Sequence, residues 1–327
     1  MATASQVKAL IRSHAEGDET RFYAIALQVA AQAARSGHNH FATELRELVD
    51  RASISSKRRH TPGSTQILTP RIGGKLDALL ATTFPKVSLS EMALDKDVRS
   101  RIERVLLEQR QRDRIQQHGL MPLRRLLLIG PPGTGKTMTA SVFAAELGLP
   151  LCTIQLDGLI TKFMGETSAK LRLIFDAIEQ ERGVYFFDEF DALGGERGAK
   201  NDVGEIRRVL NSFLQFIEHD ESGSLVIAAT NHVALLDRAL FRRFDAIIEY
   251  PFPDAAIAER VMRSRLSLLN TPNVDWRAAI KAADGLSHAD IARACEHAVK
   301  NAILENTTVV GTEELIEALN ERRATYG

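Results

Sequence analysis

Gly130-Pro131-Pro132-Gly133-Thr134-Gly135-Lys136-Thr137 follows the apolar run Leu126-Leu127-Leu128-Ile129 and opens onto a helical pattern from Met138 to Leu147. Strand, glycine-rich loop and helix, in that order, are the context in which G-x-x-x-x-G-K-[ST] carries meaning. Glycines let successive backbone N–H groups turn inward around phosphate oxygens, at a helix N-terminus whose dipole favours negative charge. The pattern assigns Lys136 to the β- and γ-phosphates and the Thr137 hydroxyl to Mg²⁺. A chance match in an ordinary turn would lack both flanks. Residues Gly130 to Met138 are therefore the expected contacts of a nucleoside triphosphate with its Mg²⁺.

Downstream, apolar runs alternate with helical patterns. Leu151–Leu156, Gly183–Phe187, Leu225–Thr230 and Ala246–Tyr250 read as strands, which with the P-loop strand implies a parallel sheet covered by helices on both faces. Ligands of such sheets sit at the carboxyl ends of the strands. Two of these ends carry chemistry. Val184-Tyr185-Phe186-Phe187 runs into Asp188-Glu189, so Asp188 is the second expected Mg²⁺ ligand and Glu189 the group that orients and deprotonates an attacking water. Ala228-Ala229-Thr230 runs into Asn231, whose amide can hold the water or the γ-phosphate without adding charge. After Pro251-Phe252-Pro253 only helical patterns remain, at 254–269, 274–283, 288–305 and 312–323.

The rest of the chain sets limits. Hydrophobic residues make up 44% of the 327, enough for real cores. Lys+Arg and Asp+Glu both number 42, so net charge gives no push toward nucleic acid or an anionic membrane. Cys152 and Cys295 match no metal-ligand spacing. The opening Met1-Ala2-Thr3-Ala4-Ser5-Gln6 lacks a signal-peptide order, and a cytoplasmic chain is expected. Three short amphipathic stretches before residue 52 suggest a small helical bundle for docking a partner or substrate. The expected divisions are an N-terminal helical domain at 1–52, a linker at 53–87, an α/β nucleotide-binding subdomain at 88–253 and a helical lid at 254–327.

From about Ser88 to the C-terminus these motifs, in this order, resemble the AAA+ ATPases, specifically the AAA subgroup of protein-remodelling motors. The resemblance rests on GPPGTGKT at 130–137, YFFDE at 185–189, AATN at 228–231 and LDRALFRRFD at 236–245. It implies a five-stranded parallel sheet with the P-loop strand central, a four-helix lid, and a ring, normally a hexamer. The family pattern L-D-x-A-L-x-R-x-G-R-F-D places two arginines that act on a neighbour's γ-phosphate. Here Arg242 and Arg243 are adjacent, with two residues fewer between them, and both are candidates for the trans-acting finger. Gly285-Leu286-Ser287-His288-Ala289-Asp290-Ile291 resembles the GxSxADL turn of the lid, which would bring Gly285 and Ser287 to the adenine and ribose side.

Phe163-Met164-Gly165 falls where AAA unfoldases carry a pore-facing aromatic–hydrophobic–glycine loop, able to grip an extended polypeptide by apolar contact. A second loop is expected at Gly194 to Asn201. The reading that follows is an ATP-driven unfoldase or disassembly machine, an ATPase acting on a protein client. Its N-terminal domain would dock a separate partner such as a peptidase, since no protease motif is present. The alternatives are a nucleic-acid-associated loader or a nucleotide-controlled scaffold. Neither membrane nor nucleic acid is an expected partner.

Overall fold

The structure, a computed structural model, describes residues 79–159, 164–190, 203–232, 238–267, 271, 274–307 and 309–324. The chain divides into units of residues 1–65 and 66–327, and every described residue belongs to the second. The expected N-terminal helical domain and residues 53–78 of the expected linker lie outside the described residues.

Six strands form one sheet: β1 (Leu80–Thr83), β2 (Arg125–Ile129), β3 (Leu151–Ile154), β4 (Val184–Phe187), β5 (Leu225–Thr230) and β6 (Ala246–Glu249). Their order is β1-β3-β4-β5-β2-β6. The five strands anticipated from apolar runs are parallel to one another. The sixth corrects the expected count. Strand β1 runs antiparallel to β3, with Leu80 opposite Ile154 and Thr83 opposite Leu151. It lies inside the stretch read as linker, because a four-residue edge strand ending in two threonines offers neither an apolar run nor a visible alternation. The P-loop strand β2 is interior but not central, having only β6 between it and the edge.

Alternation along the strands supplies two cores. Leu127, Ile129, Tyr185, Phe187, Val226 and Ala228 face one side, against Leu171, Ile174 and Phe175 of α5 (Met164–Gln180) and Phe213 and Ile217 of α6 (Val203–His219). Leu126, Leu128, Val184, Phe186, Ile227 and Ala229 face the other, against Ile102, Val105 and Leu106 of α1 (Lys96–Arg110) and Val142 and Phe143 of α3 (Lys136–Leu147). Each large side chain buried this way contributes about 1.5–3 kcal/mol. The charged stretch ahead of the P-loop strand forms two helices, α1 and α2 (Arg112–Gln117). Gln111 caps the first, its N–H donating to the Leu107 carbonyl at 3.0 Å. Leu156, expected to end a strand, instead begins the short helix α4 (Leu156–Leu159).

The amino ends of the strands are pinned by charge. Asp245 Oδ2 accepts from the main-chain N–H groups of Arg124 at 3.0 Å and Arg125 at 2.9 Å. The Arg124 guanidinium forms a buried ion pair with Asp220. Beyond α7 (Arg238–Phe241) and β6, the lid comprises α8 (Ala255–Arg265), α9 (Trp276–Ala283), α10 (His288–Leu304) and α11 (Thr312–Ala324). Side chains of Asp254, Asp275 and Ser287 cap α8, α9 and α10 by accepting from first-turn N–H groups. Met262, Ala279, Ile291, Cys295, Leu315 and Leu319 close a third core within these four helices. Burial pushes the Cys295 thiol up to about 12.

Candidate active site

The P-loop joins β2 to α3, and its turn needs glycine for a steric reason. Gly130 has φ +147°, and the Tyr250 main chain already fills the place a Cβ would take. Gly133 has φ +75°, and a Cβ there would meet Ser287 Oγ at 2.5 Å. Lys136 folds back over the loop, its buried ammonium donating to the carbonyls of Gly130 at 2.8 Å and Pro131 at 2.7 Å. The positive charge is thus fixed within the loop. Thr134 Oγ1 donates to the Pro131 carbonyl at 2.8 Å.

Three neighbouring strands deliver the other groups to the same end. Strand β5 lies between β4 and β2, with Phe187 opposite Ala228 and Ile129 opposite Thr230. Asp188, Asn231 and Gly130 therefore emerge at adjacent carboxyl ends. Thr137 Oγ1 donates to Asp188 Oδ2 at 2.9 Å, so the two hydroxyl and carboxylate oxygens expected on a divalent cation already touch. That oxygen pair fits the hard, oxygen-preferring Mg²⁺. Glu189 is exposed and has φ +50°, an uncommon value for a side chain of this size. Its own N–H donates to Asp188 Oδ1 at 3.0 Å, which supports the turn. A carboxylate held in so costly a conformation at a strand end can serve a function. Thr230 Oγ1 accepts from the His232 N–H at 3.0 Å, shaping the turn that carries Asn231.

The lid reaches this loop directly. Ala289 N–H donates to the Gly133 carbonyl at 3.0 Å, and Ser287 is buried against Gly133. Ser287 Oγ donates to Asp290 Oδ2 at 2.6 Å and accepts from the Asp290 N–H at 3.2 Å. Gly285 has φ +78° and nothing within 4 Å of its would-be Cβ, so it serves the turn. Met138, at the start of α3, is half-buried and packs on the α1/α3 core.

Arg242 and Arg243 are not brought to this end. Asp245 N–H donates to the Arg125 carbonyl at 2.8 Å, so the pair precedes the amino end of β6, beside the start of β2. Five residues at about 3.3 Å each put it some ~16 Å from the P-loop of its own chain. Arg243 forms an ion pair with Glu218 at the end of α6. Arg242 is exposed, and among the described residues it makes no ion pair. Phe163, the second expected loop at 194–201, and Leu236-Asp237 lie outside the described residues. Met164 and Gly165 are the first residues of α5, so their backbone is helical.

Sequence reasoning missed Tyr250, Met92 and Ala289. Tyr250 OH and Thr139 Oγ1 lie 2.6 Å apart, and burial raises the phenol's pKa well above its ordinary value. Met92 Sδ accepts from Thr139 Oγ1 at 3.9 Å. The available signal for Tyr250 was its place at the end of a strand that had to pair beside the P-loop strand.

Comparison with known proteins agrees with this geometry. The profile of the "ATPase family associated with various cellular activities (AAA)" matches residues 126–252. The chain is 34% identical to the AAA family ATPase y4kL of Sinorhizobium fredii, over 98% of this chain and 96% of that one. It is 33% identical to the proteasome-activating nucleotidase of Aeropyrum pernix, over 80% of this chain and 67% of the relative. Identity to the ATP-dependent zinc metalloprotease FtsH of Acidimicrobium ferrooxidans is 30%, over 80% of this chain but only 40% of that relative. The crystal structure of the FIGL-1 AAA domain superposes with a TM-score of 0.61 at 21% identity, covering 76% of this chain and 90% of that domain, and shows a shared fold. By its motifs, its sheet and these relatives, the chain belongs to the AAA family of ATPases and is itself an ATPase.

Proposed function

We propose that this chain is one subunit of a homo-oligomeric ring, six-membered as is the family norm, that spends ATP hydrolysis on unfolding, threading or disassembling a protein client in the cytoplasm. The observation that carries the ring is the place of Arg242. It is exposed and without an ion pair among the described residues, at the end of the sheet opposite its own P-loop. A head-to-tail neighbour gives it a γ-phosphate to act on. Arg243, held by Glu218, fixes the turn that presents it.

In this reading Gly130 to Met138 and Lys136 hold the triphosphate, with Ser287 closing the lid side and Gly285 shaping its turn. Thr137 and Asp188 would hold Mg²⁺, which would supply charge neutralisation to the triphosphate. Glu189 takes the proton of the attacking water, and Asn231 orients that water against the γ-phosphate. Arg242 of the adjacent subunit stabilises charge on the transferring group.

The protein client is supported by two of the relatives, whose names describe a nucleotidase that activates proteasomes and an ATP-dependent protease. Phe163-Met164-Gly165, whose last two residues begin α5, is the proposed grip. The N-terminal unit is the proposed dock for a separate partner such as a peptidase. Glu189→Gln tests the client class, because it should bind ATP and hold it unhydrolysed. Polypeptides retained by this variant and absent from a Lys136→Ala control support the reading. Retention of nucleic acid without a consistent polypeptide contradicts it.

A further inference from the structure

Tyr250 touches both ends of the P-loop. At the first end its N–H donates to the Ile129 carbonyl at 2.8 Å, and its main chain fills the place a Cβ on Gly130 would take. At the other end its hydroxyl stands 2.6 Å from Thr139 Oγ1, in the first turn of α3. Both side chains are buried, and their bond has one consistent direction. A hydroxyl has a single proton to give. Thr139 Oγ1 also faces two groups that can only accept, the Gly135 carbonyl at 3.0 Å and the Met92 sulfur at 3.9 Å. Its proton goes to that side, so Tyr250 is the donor toward Thr139. Burial raises the phenol's pKa, which keeps the donated proton in place.

The Gly135 carbonyl accepts from the Thr139 N–H as well, at 2.9 Å. Gly135 has φ +107°, and glycine is the residue whose flanking peptides turn most freely. Two bonds to one carbonyl remove that freedom. A trans peptide is planar, so a fixed Gly135 carbonyl also fixes the Lys136 N–H on the opposite side of the same plane. That N–H belongs to the first residue of α3 and points out of the helix's amino end, toward the loop. We propose that Tyr250 is a positioning residue for the triphosphate: by donating to Thr139 it holds the Gly135–Lys136 peptide so that the Lys136 N–H is aimed at phosphate. Resting on the reading of Gly130 to Met138 as the phosphate cradle, this role concerns the phosphates and not the base, and it is exerted only through the Thr139 hydroxyl.

The test is titration calorimetry on the full chain, with ATP and with inorganic tripolyphosphate, which has no base. Tyr250→Phe should weaken both ligands about fivefold, the size of one hydrogen bond. Thr139→Val should weaken both at least as much, whereas Thr139→Ser, which keeps the hydroxyl, should stay within about twofold of the parent. Tyr250→Phe combined with Thr139→Val should bind no more weakly than Thr139→Val alone, because the first acts through the second. Asp220→Ala controls for stability: it breaks a buried ion pair at the other end of the sheet, and its folded chain should bind both ligands as the parent does. Parent affinity in Tyr250→Phe, a loss confined to ATP, an equal loss in Asp220→Ala, or additive losses in the double variant overturns the proposal. Lys136→Ala tells this failure from failure of the cradle itself. It should bind neither ligand; parent affinity there would remove the cradle, and the role of Tyr250 with it.

Discussion

The carboxyl and amino ends of the same sheet are built on opposite plans. At the carboxyl end, Gly130, Gly133 and Glu189 take positive φ values, Lys136 donates to the loop carbonyls of Gly130 and Pro131, and Thr137 donates to Asp188. Their donors and oxygens are gathered round a space meant for a ligand. At the amino end, charges are consumed within the chain: Arg124 pairs with Asp220, and Asp245 holds two N–H groups. Arg112 and Arg182 both donate to the Gly223 carbonyl, at 3.1 and 3.2 Å. Arg242 differs at that end: it is exposed and, among the described residues, makes no ion pair. In the proposed ring, the nucleotide site of one copy and the exposed Arg242 of the next are complementary.

Four substitutions sharpen that contrast. The largest effect is expected at Arg242. Arg242→Ala should keep ATP affinity and lose about 10³-fold or more in kcat, the scale for a trans-acting arginine. Arg243→Ala should lose less than about tenfold, because its partner is Glu218 of its own chain. Steady-state ATPase assays beside equilibrium nucleotide binding separate the two; equal losses would erase the distinction. Next in size is the buried pair. Asp220→Ala leaves the Arg124 charge buried alone and should cost about 3–5 kcal/mol in denaturant unfolding. It should scarcely alter ATP affinity of the folded fraction, since the pair belongs to the frame. The smallest is Tyr250→Phe, which removes one hydroxyl from the Thr139 contact under the P-loop and should cost about 1 kcal/mol of stability. A much larger loss there would make the carboxyl end depend on its frame more than the structure shows.

The carboxyl end was largely legible in the sequence, and the amino end was not. Lys136, Thr137, Asp188, Glu189 and Asn231 each stand beside an apolar strand of their own, so local order reveals both the strand and the group at its tip. The lid helices likewise show their own periodicity, and all four appear close to the expected ranges. The frame is made of contacts that no local pattern announces. Arg124 and Asp220 are 96 residues apart, and Arg124 and Asp245 are 121 apart. Strand β1 borrows its definition from β3, 70 residues on. The proposed preference for Arg242 over Arg243 rests on Glu218, whose helix end is brought beside Arg243 only by folding.

The central claim, that each site is finished by a neighbour, is most directly tested by mixing two inactive chains. Lys136→Ala cannot hold the triphosphate but still carries Arg242; Arg242→Ala holds the triphosphate but has no finger to offer. Neither should hydrolyse ATP alone. Co-assembled in equal amounts, they should regain a measurable fraction of the parent ATPase rate, because some Arg242→Ala sites then face an intact Arg242. A mixture that co-assembles yet stays as inactive as either chain alone would contradict the account.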